Sequence, residues 1–215
     1  MTKAALYGGA FNPVHYGHLR IAEEVREALA LEKVIFMPLF NPPHKSGDAM
    51  VSPEARLEML NAAIAANPGF EVSDMEIKRG GLSYTIETVR ELIKGGIEPT
   101  VIMGSDQFNV ITSWCAYEEL ILTADIAVVG RPGVITKKVA EALPVELARK
   151  FWYDNKSGAY RTDAGRAIYF VDTTPMEISS SAIRALVKEG RSIKYLVPEA
   201  VAKLISSRGF YKKGD

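Results

Sequence analysis

Short apolar segments alternate with amphipathic helical segments along this chain of 215 residues. Strand-like runs are predicted at 4–7, 33–38, 100–103, 126–129 and 167–171, and the stretches between them have helical spacing of their apolar residues. This alternation predicts an α/β fold, a doubly wound parallel sheet with helices on both faces. In such sheets ligands bind beyond the carboxyl ends of the strands, near a point where the strand order reverses.

Capping and breaking residues set the element boundaries. Ser52 followed by Pro53 predicts the start of a helix, Thr85 is predicted to cap another that ends near Ile93, and Ser179 is predicted to cap a third through Val187. The sequence also predicts helices at about 17–30 and 198–206, short extended segments at 70–72 and 75–77, and a less regular stretch at 134–165. We expect one domain over 1–215, with the C-terminal helical part at about 178–211 completing the ligand site.

Composition narrows the classes of protein. The chain is 47% hydrophobic and 24% charged with a formal net charge of zero, which is typical of a globular domain and gives no support for nucleic-acid or membrane-surface binding. The single cysteine, Cys115, excludes an intrachain disulfide and a cysteine-based zinc site. No apolar run approaches the roughly 18 residues of a membrane span, and no secretory leader is recognisable. We therefore expect a cytoplasmic protein.

The most informative polar cluster joins the first strand to the first helix. It occupies residues 8–18, with the sequence GGAFNPVHYGH, and is called the glycine–histidine motif. Bare backbone N–H groups at the glycines and the positive end of the helix suit an anion, and His15 and His18 can face the same way and donate to phosphate oxygens. A turn with two surface histidines is the alternative, and a metal site lacks an evident third ligand nearby. Neither the P-loop nor the dinucleotide fingerprint is present.

A second cluster lies at the start of a late helix. The serine–arginine motif, residues 178–184 with the sequence ISSSAIR, offers hydroxyls and free N–H groups at a helix N-terminus, which favours an anion. Arg184 lies one turn into this helix, from where its guanidinium can reach back to a phosphate. A plain serine cap followed by a surface arginine is the alternative interpretation.

Together, these two motifs resemble those of the H-x-G-H nucleotidyltransferase superfamily and, within it, the bacterial nicotinate-nucleotide adenylyltransferases. The narrower resemblance rests on residues in the expected order: Pro42-Pro43-His44-Lys45, Ser83-Tyr84-Thr85, Gly104-Ser105-Asp106 and Trp114. Ser181 stands where many relatives have threonine, and both supply a hydroxyl. The resemblance implies a Rossmann-like fold and transfer of the adenylyl group of ATP to nicotinate mononucleotide, with Mg²⁺ accompanying ATP and no covalent enzyme intermediate.

The resemblance also implies roles for individual residues. His18 is expected to stabilise charge at the α-phosphate, and Lys45 to contact phosphate at the point of transfer. The expected catalytic residues are His15, His18, Lys45 and Arg184, and no metal-ligating residue is expected. The expected ATP-binding residues are Gly8, Gly9, His15, His18, Gly104, Asp106, Ile178, Ser179, Ser180, Ser181 and Arg184. The expected mononucleotide-binding residues are Gly9, Ala10, Phe11, Asn12, His44, Lys45, Ser83, Tyr84, Thr85, Trp114 and Arg131.

Three of these assignments have structural alternatives. Trp114 is expected to stack on the pyridine ring, but a tryptophan also serves core packing. Thr85, with Tyr84, is expected to offer backbone N–H groups to the nicotinate carboxylate, and as a cap it would need no ligand. Arg131 could neutralise an acid or a phosphate, or lie on the surface without such a role.

Other functions compete with this hypothesis. A sister transferase could use nicotinamide mononucleotide or phosphopantetheine, although phosphopantetheine has no flat ring for Trp114. A nucleotide-binding protein without turnover is disfavoured because His15, His18, Lys45 and Arg184 occur together. A fragment of a tRNA synthetase would need a second lysine-containing signature loop. The expected partners are the small molecules ATP and nicotinate mononucleotide, and the sequence leaves room for a homo-oligomer.

Overall fold

The structure is a computed structural model that describes residues 1–41 and 50–212. The strands in these residues are β1 Thr2–Gly9, β2 Lys33–Pro38, β3 Phe70–Val72, β4 Ile97–Gly104, β5 Asp125–Val129, β6 Trp152–Asp154, β7 Ala159–Arg161 and β8 Ala167–Val171. The helices are α1 Tyr16–Ala28, α2 Pro53–Ile64, α3 Met75–Arg79, α4 Thr85–Lys94, α5 Ser105–Phe108, α6 Tyr117–Thr123, α7 Val139–Ala142, α8 Val145–Ala148, α9 Ser180–Lys188 and α10 Glu199–Arg208. A 3-10 turn spans Ile111–Ser113.

The strands form one sheet in the order β3-β2-β1-β4-β5-β8-β7-β6. All neighbours from β3 to β8 are parallel, and the chain winds outward in opposite directions from β1 and β4. The predicted α/β doubly wound fold is therefore confirmed, and its switch point lies between the carboxyl ends of β1 and β4. The glycine–histidine motif follows β1 directly, and Gly104 ends β4.

One edge of the sheet differs from the purely parallel prediction. The stretch at 134–165, predicted as less regular, contains α7, α8 and the antiparallel strands β6 and β7 that extend the sheet beyond β8. Gly158 and Gly165 adopt positive φ values of 64° and 85° in the two reversals of the chain. Strands of three residues are too short for a period-two pattern to reveal them.

Side chains of the central strands alternate between two apolar layers. Leu6 of β1 and Val101 of β4 belong to the layer that packs against α4 and α6. Ala5 and Ile102, one residue along, belong to the opposite layer, which packs against α1, α2, α9 and α10. Each face of the sheet thus has its own core, as two-sided helical cover requires.

Several predicted boundaries are confirmed by their capping contacts. Ser52 Oγ accepts from the Ala55 N–H at 3.2 Å at the start of α2, and Ser179 Oγ accepts from the Ala182 N–H at 3.1 Å at the start of α9. The helices predicted at 17–30 and 198–206 appear as α1 and α10.

Two local predictions were wrong. Residues 75–77, predicted as extended, begin the helix α3, because the Lys78 N–H donates to the Asp74 carbonyl at 2.9 Å and closes a helical turn. Thr85 is not the cap of α4 but its first helical residue. Tyr84 occupies the cap position in an extended conformation, without a side-chain capping bond.

Within residues 1–41 and 50–212, none of the helices combines the length and the apolar composition that crossing a bilayer requires.

Candidate functional site

The two histidines of the glycine–histidine motif lie side by side at the start of α1. Their rings stack with centroids 3.7 Å apart. The His15 N–H donates to Nδ1 of His18 at 3.2 Å, so a neutral His18 ring carries its proton on Nε2 and can donate from there. Gly17 leaves room for this stacking, because a Cβ at that position would lie 3.1 Å from the His15 ring. The predicted juxtaposition of the two imidazoles is therefore present.

His15 is deeply buried and only 6% exposed. Burial lowers the pKa of its imidazole from 6.5 to about 4, so the ring is neutral near pH 7. Its Nδ1 is buried and makes no hydrogen bond to any residue that the structure describes. Such a ring acts on an anion as a hydrogen-bond donor and not as a cation.

The serine–arginine motif docks directly onto the glycine–histidine motif. The Ser180 hydroxyl donates to the Pro13 carbonyl at 2.8 Å, and Arg184 Nη1 donates to the Asn12 carbonyl at 2.9 Å. Arg184 Nη2 also donates to Ser181 Oγ at 3.3 Å. The two motifs, separated by more than 150 residues of sequence, thus form one polar surface around the entrance to α1.

The Asn12 side chain links this surface to two further segments. Its Oδ1 accepts from the Tyr211 hydroxyl at 2.8 Å and from the Val51 N–H at 3.3 Å. Burial raises the pKa of Tyr211, which keeps the hydroxyl protonated as a donor. Sequence reasoning missed Tyr211, because a single tyrosine 199 residues from its partner carries no local signal.

The residues expected to hold the pyridine ring lie on the other face of the sheet. Tyr84 and Trp114 both pack, partly buried, against the apolar layer of α4 and α6. Thr85 opens α4, so its backbone N–H is among those at the positive end of that helix. The buried Trp114 Nε1–H finds no acceptor in the described residues. Ser83 Oγ accepts from the Phe40 N–H at 3.0 Å and ties this loop to the end of β2.

Gly104, Asp106 and Arg131 lie between these two groups, at the carboxyl ends of β4 and β5. A Cβ at Gly104 would lie 2.5 Å from Asp106 Oδ1, so the carboxylate approaches the backbone more closely than any side chain would allow. Arg131 forms an ion pair with Asp106, and its N–H donates to Ser105 Oγ at 3.2 Å. The predicted ribose-binding carboxylate and the predicted neutralising arginine therefore contact each other.

The remaining predicted residues lie either at the end of β1 and in the turn after it or outside the described residues. Gly8 and Gly9 end β1, and the buried Phe11 ring packs between Tyr7 and His18. His44 and Lys45 lie outside the described residues.

The described residues hold no group of three or more His, Cys, Asp or Glu side chains placed to bind one metal ion. The side chains expected to face phosphate are imidazoles, hydroxyls and a guanidinium, which suit phosphate oxygens and not Mg²⁺. An Mg²⁺ ion brought by ATP would be held by the phosphates and water, which stays a prediction.

Comparisons with known proteins show the family and the fold to which this chain is similar. Residues 6–186 match the family described as cytidylyltransferase-like. The chain is 45% identical to a protein of Geobacter metallireducens, over 97% of this chain and 98% of that one, and 44% identical to a protein of Geotalea daltonii over 99% of each. Both carry the name probable nicotinate-nucleotide adenylyltransferase.

Among solved structures, the fold is similar to that of Plasmodium falciparum nicotinic acid mononucleotide adenylyltransferase complexed with NaAD, with a TM-score of 0.72 and coverage of 98% of each chain. At 16% identity this likeness concerns the fold alone.

Proposed function

This chain belongs to the nicotinate-nucleotide adenylyltransferase family, and from that premise we infer that it transfers the adenylyl group of ATP to nicotinate mononucleotide. An oxygen of the mononucleotide 5′-phosphate attacks the α-phosphorus of ATP. The new bond joins that oxygen to the α-phosphorus, and the bond from the α-phosphorus to the bridging oxygen of the β-phosphate breaks. The products are deamido-NAD and pyrophosphate. The reaction contributes to NAD biosynthesis.

No enzyme nucleophile is needed for this step, so positioning and charge stabilisation carry the catalysis. The glycine–histidine motif receives the phosphates of ATP, with His18 Nε2–H donating to the α-phosphate as charge develops there. Arg184 supplies a fixed positive charge towards the β- and γ-phosphates and the leaving pyrophosphate. The hydroxyls at 179–181 and the N–H groups at the start of α9 serve the same phosphates.

The acceptor is bound across the switch point of the sheet. Its phosphate lies against the backbone of Gly9, Ala10 and Phe11, and its ring reaches Trp114. The positive end of α4 at Thr85 favours a nicotinate carboxylate over the neutral amide of nicotinamide mononucleotide. Asp106 serves the ribose hydroxyls of the adenosine.

The single observation that carries this proposal is the docking of the serine–arginine motif on the glycine–histidine motif, through Arg184 to Asn12 and Ser180 to Pro13. It gathers an arginine, two imidazoles and a helix N-terminus around one position at the switch point. The lone cysteine, Cys115, favours a reducing compartment, and we propose the cytoplasm.

Pyrophosphate release tests the proposal. The purified protein is incubated with ATP, Mg²⁺ and one acceptor at a time: nicotinate mononucleotide, nicotinamide mononucleotide or phosphopantetheine. We expect the fastest release with nicotinate mononucleotide. Absence of release with this acceptor would overturn the proposed function, and equal rates with acid and amide would overturn the role of the α4 terminus.

A further inference from the structure

Arg56 is a charged side chain in the interior of the protein. It lies in the first turn of α2, is 0% exposed and has the largest volume among the fully buried side chains. It forms no salt bridge with a carboxylate among the described residues, which comprise 1–41 and 50–212. Nothing in its sequence context, an arginine in an ordinary amphipathic helix, singles it out.

The Arg56 guanidinium is held by backbone carbonyls. Nη1 donates to Ala10 at 2.9 Å and Nη2 to Leu39 at 2.7 Å, with a longer contact to Phe40 at 3.4 Å. Nε contacts the Val51 carbonyl at 3.4 Å. These carbonyls belong to the glycine–histidine motif and to the chain on either side of residues 42–49. One side chain therefore fixes three segments that meet at the phosphate end of the site.

Hydrogen bonds to neutral carbonyls satisfy the donors of a guanidinium but do not cancel its charge. Arginine stays protonated even when buried, so a positive charge persists beneath the motif. In a medium of low effective dielectric such a charge acts over several ångströms and is stabilised by an approaching anion.

The Ala10 carbonyl couples this charge to the site through the peptide group to which it belongs. The Ala10 carbonyl and the Phe11 N–H are the two ends of one peptide group, and a cation bonded to the carbonyl end strengthens the N–H as a donor. Phe11 has a φ of 45°, in the left-handed region, so the chain turns sharply at this peptide. This backbone is the one assigned above to the acceptor phosphate.

We propose that Arg56 is a positioning residue for the phosphate of the acceptor mononucleotide, which it serves by polarising the Ala10–Phe11 peptide and by placing a buried positive charge behind it. The inference rests on the proposed function, because it needs the mononucleotide to be the ligand of this peptide. It adds to that function a cationic residue that touches no substrate atom.

Calorimetric binding of two acceptor ligands tests this role. Nicotinate mononucleotide carries the phosphate, whereas nicotinate riboside is the same molecule without it. Arg56→Gln removes the charge, and Arg56→Lys keeps the charge without the planar guanidinium group. Arg208→Gln is the matched control, because Arg208 contacts α2 from outside through Glu58. Circular dichroism and thermal unfolding show whether each variant is folded at the temperature of the titration.

We expect Arg56→Gln to weaken mononucleotide binding by about tenfold or more, because the phosphate loses the buried positive charge behind the Ala10–Phe11 peptide, while riboside binding changes by less than about twofold. Arg56→Lys should recover part of the loss, and Arg208→Gln should bind as the wild type does. Equal weakening for both ligands, or none for either, would overturn the inference. A wild-type protein that binds no mononucleotide would instead overturn the proposed function.

A measurement on the wild-type protein covers the case in which Arg56→Gln does not fold. In ¹H–¹⁵N spectra the Phe11 amide and the Arg56 Nε–H should shift on addition of nicotinate mononucleotide and stay within the line width on addition of the riboside. Equal shifts with both ligands, or no shift of either signal with the mononucleotide, would overturn the inference.

Discussion

The two halves of the site are built differently. In the half proposed to bind the phosphates (the phosphate half), formed by residues 8–18 and 178–184, hydrogen bonds join segments that are far apart in sequence, such as Arg184 to Asn12 and Tyr211 to Asn12. In the half proposed to bind the pyridine ring (the ring half), formed by Ser83–Thr85 and Trp114, apolar packing against the layer of α4 and α6 predominates. Phosphate recognition needs donors at fixed positions, whereas a flat ring needs an apolar surface. Substitutions in the first half should therefore lower kcat, and those in the second should raise KM for the mononucleotide.

The largest effect is expected at His18. His18→Ala should lower kcat by about 100-fold or more, because it removes a preorganised donor at the α-phosphate. Steady-state pyrophosphate release at saturating ATP measures the change. An increase in KM alone, with kcat preserved, would place His18 in ground-state binding and weaken the contrast between the two halves.

His15 provides a test of the same half through stability. Well above pH 6.5 the ring is neutral in both folded and unfolded chains. Below that value the unfolded chain takes up a proton that the folded ring, with its pKa of about 4, does not. Between pH 6.5 and pH 4 the wild type should thus lose up to about 3 kcal/mol of unfolding free energy relative to His15→Asn. Urea titrations of both proteins across this range measure it, and parallel pH profiles would contradict the burial argument.

In the ring half, Trp114→Ala should raise KM for nicotinate mononucleotide by about tenfold and leave KM for ATP within about twofold, since stacking on an aromatic ring is lost. Trp114→Phe is the control that keeps an aromatic face. If both substitutions lower the unfolding temperature and neither changes KM for the mononucleotide, Trp114 serves core packing only.

The smallest effect is expected at Arg131, between the two halves. Its side chain is 59% exposed, so its ion pair with Asp106 contributes at most about 1 kcal/mol to stability. Arg131→Gln should lower the unfolding free energy by no more than this amount, as measured by urea titration. A loss of several kcal/mol would show that this ion pair stabilises the carboxyl ends of β4 and β5, which lie between the two halves.

Capping residues and the pattern of apolar residues predicted helix starts and parallel strands, because interactions between residues close in sequence determine these elements. Ser52 and Ser179 cap helices as expected, because a hydroxyl that accepts from a nearby N–H acts within one turn. The alternation of strands and helices likewise predicted the parallel part of the sheet. The antiparallel edge at β6 and β7 lacked such a signal, since tertiary pairing decides strands of three residues.

The sequence predicted residues that the structure brings close together, but it did not predict the contacts that hold them there. The motifs named His15, His18 and Arg184, and the structure brings them to one end of the sheet. The contact of Arg131 with Asp106, the role of Tyr211 as a donor to Asn12 and the burial of Arg56 all depend on segments that meet only in the folded chain. The periodicity of apolar residues and the capping residues carry no information on which distant segments come into contact.

The hydrogen bond between Tyr211 and Asn12 has a consequence for how this protein is made. Translation delivers Asn12 about 200 residues before Tyr211. Contacts between such distant residues form late in folding because a long loop must close first. A nascent chain that has exposed the glycine–histidine motif, α1 and β2 therefore carries the residues of the proposed phosphate site without the hydrogen bond that Tyr211 donates. Synthesis must reach residue 211 before the motif acquires it.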